Sequence, residues 1–90
     1  MESIIQDEKE CFVCFSQRNL ELHHCLHGTS NRQNADKYGL TIWLCHEHHA
    51  LLHDKNHELD LAIQQMAQRA FEQTHSRKEF LKVFGKNYLD

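Results

Sequence analysis

The stretch LCHEHHALLH, Leu44 to His53, places four histidines and a cysteine in ten residues. That is more imidazole than a packed core or a plain surface helix can use. Upstream, CFVC sets Cys11 and Cys14 in a C-x2-C knuckle, and CHEH sets Cys45 and His48 in a C-x2-H knuckle. Two such knuckles supply the four nitrogen and sulfur ligands of a closed tetrahedral zinc site. Cys11, Cys14, Cys45 and His48 are therefore read as ligands of a structural Zn2+.

His49 and His53 are left over, four residues apart and so on one face of the helix that leaves the second knuckle. Two nitrogens seldom hold a cation alone, and the pair His23–His24 in LELHHC is the obvious source of a third. On a strand, adjacent side chains point to opposite faces. One of the two is then the ligand, and the other stays unmetallated beside the metal, with a pKa suited to taking a proton near neutral pH. The pattern predicts two metal sites.

Length explains why metal is needed. Ninety residues make one domain with a modest core that often requires a staple. No apolar run approaches the roughly 20 residues of a membrane span, and MESIIQDEKE lacks the regions of a signal peptide. The expected location is the cytoplasm, where four cysteines favour metal thiolates or free thiols over disulfides. The net charge of -3 lies in residues 1–10, where Glu2, Asp7, Glu8 and Glu10 face Lys9, so the remainder is neutral before any metal binds. A neutral body permits nucleic acid but predicts modest non-specific affinity.

The chain divides into an acidic arm (1–10), a Cys/His-rich segment (11–57) and a helical tail (58–90). Leu20–Cys25 and Leu40–Cys45 read as strands. Between them a loop holding about two helical turns is expected, capped by Ser30 with Gln33 and stopped by Gly39. A helix begins inside CHEHHALLH. In the tail, Leu59, Ile63, Met66, Ala67, Ala70 and Phe71 recur at helical spacing and predict an amphipathic helix from about Glu58 to His75. Ser76 with Glu79 forms a capping box for a second helix ending at Gly85.

Other residues receive plainer readings. Cys25 has no partner knuckle and is assigned to the core. His46, His57 and His75 are read as surface or capping groups, and Tyr38 and Trp43 as core. His27, Arg32 and Lys37 are candidates for contact with substrate.

CFVC, LHHC and LCHEHHALLH together resemble the HNH endonucleases, whose layout is C-x2-C, an acidic or His residue followed by His, and C-x2-C/H running into H-x3-H. The resemblance covers about residues 11–57. GTSNRQNADKYGLTIWLCHEHH and the tail are similar to small HNH proteins of bacteria and their phages. It implies an α+β fold, a small zinc-stapled ββα-metal core with C-terminal helices, and metal-dependent hydrolysis of DNA. It further implies that His24 is the general base, and that His23, His49 and His53 hold a catalytic Mg2+, Mn2+, Ni2+ or Zn2+. The chain departs from the family in YGLTIW, which lacks the middle Asn that orients the base; Asn31 and Asn34 lie on the preceding loop. The oligomeric state is left open. Two other readings remain: a zinc-stapled module that binds nucleic acid or protein without cutting, and one binuclear, purely structural cluster.

Overall fold

The computed structural model describes residues 2–89, without the side chain of Thr29; Met1 and Asp90 lie outside the described residues. It is a small α+β domain. In chain order come β1 (Leu20–His24), α1 (Thr29–Tyr38), β2 (Thr41–Cys45), α2 (His46–Asp54), α3 (His57–Phe71) and α4 (Arg77–Phe84). No described helix is long and apolar enough to cross a membrane.

The two strands pair antiparallel, with Glu21 opposite Leu44, Leu22 opposite Trp43, His23 opposite Ile42 and His24 opposite Thr41. Cross-strand partners share a face. Glu21, His23, Ile42 and Leu44 therefore lie together, and Leu22, His24, Thr41 and Trp43 lie on the reverse.

Residues 2–12 cover the free edge of β2. Ile4 donates its N–H to the Gly39 carbonyl (2.9 Å), the Trp43 N–H reaches Gln6 Oε1 (2.8 Å), and Phe12 donates to the Trp43 carbonyl (2.8 Å). These bonds satisfy backbone groups that a two-stranded sheet would otherwise expose to edge-to-edge pairing. The reading of Trp43 as core is corrected here. Its strand position turns it away from the buried face, and the Lys9 ammonium lies 4.7 Å from its ring centroid.

The core joins Leu26, Leu40, Ile42 and Leu44 to Leu52, Ile63, Ala67 and Phe71, with Phe80 and Phe84 closing it from α4. Phe71 anchors the aromatic part, edge-on to Tyr38 (5.2 Å), Phe80 (5.4 Å) and Phe84 (5.8 Å). Full burial of such side chains contributes about 1.5–3 kcal/mol each.

Three local expectations need correction. The segment after β1 is a ten-residue helix, not a loop with two turns, and Ser30 with Gln33 does not cap it. Its N-cap is Gly28, at φ 107 with no side-chain cap, two positions earlier than a Ser30 cap would require. The third helix ends at Phe71, short of His75, because the chain tightens there. Thr74 N–H bonds the Phe71 carbonyl, and the His75 ring stacks on Phe71 at 4.4 Å. The reversal lets α4 return its aromatic face to the core. Ser76 and Glu79 form a reciprocal capping box at the start of α4, and Gly39 and Gly85 end their helices in left-handed conformations.

Gly39 carries a second constraint. At φ 73, a Cβ there would overlap the Glu2 carbonyl oxygen and press on Ile4, whereas Gly85 at φ 78 meets nothing. Gly85→Ala should cost only the left-handed strain of about 1–2 kcal/mol. Gly39→Ala should cost more, by displacing the N-terminal segment from β2. Urea unfolding of both variants checks this, and equal losses would show that the segment contributes nothing at Gly39.

Candidate metal centre

The end of β2 and the first turns of α2 build both metal-binding groups. Cys45 closes β2 and is also the N-cap of α2, so His46, Glu47, His48 and His49 follow on the first turn. Successive helical residues turn by about 100°, which sends His48 and His49 to different sides of the helix.

On one side, Cys11, Cys14, Cys45 and His48 bring their ligand atoms within 4.8 Å of one another, a group able to hold a metal ion such as zinc. The measured edges are 3.9 Å between Cys14 Sγ and Cys45 Sγ, 3.8 Å between Cys11 Sγ and His48 Nδ1, and 3.1 Å between Cys45 Sγ and His48 Nδ1. Tetrahedral bonds of zinc lengths give edges of about 3.8 Å for two sulfurs and about 3.6 Å for sulfur with nitrogen. The fit is close.

The thiol electrostatics agree. Burial opposes ionisation of Cys11, but the backbone amides of Cys45, Cys14 and Val13 outweigh it and bring the thiol down to about 6. The Ser16 backbone favours a Cys14 thiolate, yet desolvation and the neighbouring Cys11 and Cys45 sulfurs raise its pKa. Adjacent thiolates need a cation between them. Cys25 belongs to neither group. It is buried, and burial pushes its thiol up to about 12, so it remains a neutral core residue.

On the other side, His23, His49 and His53 form a second group. His23 Nδ1 lies 3.3 Å from His49 Nε2, and His53 Nε2 lies 3.2 Å from the same atom. Nitrogens bound tetrahedrally at zinc distances sit about 3.3 Å apart. Burial, reinforced by the nearby His49, His53 and His27, pushes His23 down to about 3, so its imidazole is neutral at neutral pH and keeps a lone pair for a cation. His23 is 2 % exposed, and its Nε2 has no hydrogen-bond partner among the described residues. The group therefore fits a cation by its spacing, and His23 fits it by its protonation as well.

These three side chains line a cleft of about 650 Å³ together with His24, His27, Gly28 and Arg32. His24 is on the reverse strand face and outside the donor group, as alternation requires, but its place at the end of β1 lets it reach the cleft. Burial lowers its pKa, with Asp36 acting in the opposite sense across 3.8 Å. His27 donates to Asp60 Oδ1 at 2.9 Å.

Arg32 reaches the cleft and Lys37 does not; Lys37 is exposed, its ammonium 5.6 Å from the Tyr38 ring centroid. Asn31 and Asn34 are engaged elsewhere, with the His27 carbonyl (3.4 Å) and the Val83 carbonyl (3.2 Å). His46 and His57 are exposed.

Three carboxylates around the histidines escaped the sequence reading. Asp36 faces His24, Asp60 holds His27, and Glu21 accepts from His49 Nδ1 (2.7 Å) and His46 Nδ1 (2.9 Å). These imidazoles hold the Glu21 carboxyl below its ordinary pKa, His49 most strongly. Its position two before His23 on a strand was the available signal, since residues two apart share a face. Comparison with protein-family models, curated proteins and solved structures finds no match for this chain.

Proposed function

We propose that this chain is an HNH-type endonuclease that hydrolyses DNA phosphodiester bonds with a divalent cation held by His23, His49 and His53. The observation that carries the reading is one cleft shared by those three nitrogen donors, an imidazole outside the donor set (His24) and a cationic side chain (Arg32). When bound, the cation supplies charge neutralisation at the phosphate and at the departing 3'-oxygen.

The protein's own residues do the rest. His24, which lines the cleft, takes the proton of the attacking water, with Asp36 Oδ1 3.8 Å from its Nε2. Its lowered pKa keeps the ring neutral, and so able to act as a base, at neutral pH. Arg32 meets the phosphate at the rim, and such contacts position a nucleic acid without reading its sequence. The Cys11, Cys14, Cys45 and His48 group holds Zn2+ as a structural staple.

Supercoiled plasmid is the test. The zinc-bound chain should convert it to open or linear forms only when a divalent ion is added, leaving 5'-phosphate and 3'-hydroxyl ends, and high salt should slow the reaction. Plasmid and single strands left intact by fully metallated protein across the common divalent ions would turn the reading to a zinc-stapled binding module, the rival that the chain's lack of net positive charge favours.

A further inference from the structure

We infer that Glu21 is a positioning residue for the cation site: its carboxylate, gripped by His46 and His49, fixes the His49 ring and is itself kept out of the donor set. The inference rests on the cation-binding reading of His23, His49 and His53.

Glu21 and His23 lie on the same face of β1, which is the face α2 packs against. His46 and His49 are three apart on α2 and therefore neighbours on its surface. Each donates its Nδ1–H to a different oxygen of one carboxylate, His49 to Oε1 at 2.7 Å and His46 to Oε2 at 2.9 Å.

Two consequences follow. With its proton on Nδ1, a neutral His49 ring presents Nε2 as a bare lone pair, and Nε2 is the atom that faces both His23 and His53. A carboxylate behind a metal-binding imidazole fixes its tautomer and ring orientation and raises its basicity, an effect typically worth 10- to 100-fold in metal affinity.

The second consequence concerns which metal binds. A free Glu this close to the triad would be a ready oxygen ligand. His46 occupies the other carboxylate oxygen and holds the group behind His49, so the donors stay all imidazole. Imidazole donors suit Zn2+, Ni2+ and related transition ions, whereas Mg2+ prefers oxygen ligands. The site should therefore bind Ni2+ or Zn2+ far more tightly than Mg2+.

The test is Ni2+ titration by calorimetry on the full chain with its zinc in place, together with the visible spectrum of Co2+ bound at the same site. Glu21→Leu should weaken Ni2+ by about 10- to 100-fold and shift the Co2+ bands, with zinc content unchanged. Glu21→Gln keeps an acceptor oxygen for Nδ1–H and should recover part of the loss. His46→Ala should leave the His49 bond in place and change Ni2+ affinity only a few-fold, while admitting Mg2+ better than wild type does. A purely structural brace would move neither the spectrum nor the graded order of Leu and Gln. Wild-type Ni2+ affinity and Co2+ spectrum in Glu21→Leu, alongside a lost site in His49→Ala, would overturn the role of Glu21 alone. Undiminished Ni2+ binding in His49→Ala would remove the cation site and this inference with it.

Discussion

Replacing His24 by Ala is expected to slow plasmid cleavage by about 10²- to 10⁴-fold, the usual contribution of a positioned general base. Zinc content, cation binding and DNA affinity should stay near wild type. The separation is expected because His24 lines the cleft yet stands outside both metal-binding groups. His23→Ala is the contrasting variant. Its side chain is buried with Nδ1 turned to His49, so its loss should remove the second cation and, through it, activity. A His24→Ala protein that cleaves at the wild-type rate would assign the proton transfer elsewhere in the cleft. His27, held by Asp60, would be the next candidate.

Removing the zinc proposed for the Cys11, Cys14, Cys45 and His48 group is expected to unfold the domain. Structural zinc binding is worth roughly 10–16 kcal/mol in small zinc-finger peptides, which matches or exceeds the roughly 5–15 kcal/mol stability of an ordinary domain. The ligands join distant parts of the chain: Cys11 and Cys14 precede β1, Cys45 ends β2 and His48 lies on α2. Chelation, or Cys11→Ser, should therefore abolish a cooperative thermal transition. Cys25→Ser should keep its zinc, since Cys25 belongs to neither group.

The dependence should also run one way. Cys45 and His48 lie on the turn that leads into His49, so loss of the proposed zinc should unseat the cation triad, whereas loss of His49 or His53 should leave Cys11, Cys14, Cys45 and His48 in place. A chelated chain that melts at the wild-type temperature would contradict the staple.

What the sequence disclosed follows from spacing. The knuckles and the i, i+4 histidines depend on local geometry that any strand or helix imposes, and the structure brings those residues into two groups. The Ser76–Glu79 capping box and the glycine stops at 39 and 85 are equally local.

What it hid depends on tertiary context. Ser30 and Gln33 have the spacing of a capping box, but α1 is capped two positions earlier, by Gly28, whose φ of 107 no residue pattern announces. The third helix stops at Phe71 because His75 stacks back on that ring, while periodicity alone would continue it. The N-terminal segment reads as an acidic arm, and nothing local shows that Gln6 and Phe12 bond to Trp43 of β2 and Ile4 to Gly39 just before it. Glu21, Asp36 and Asp60 look like ordinary solvated acids until the fold sets each beside a histidine.

The cysteines and histidines are proposed to form two separate sites with no shared ligand, one structural and one open to substrate. Native mass spectrometry tests this most directly, on zinc-purified chain saturated with Ni2+ and compared with His53→Ala. His53 Nε2 lies 3.2 Å from His49 Nε2 and takes no part in the Cys11, Cys14, Cys45 and His48 group. The account predicts one zinc and one nickel per wild-type chain, and one zinc with no nickel in the variant. Zinc lost from His53→Ala would mean a single shared cluster, and nickel retained there would mean that the second ion sits elsewhere; either result would contradict the account.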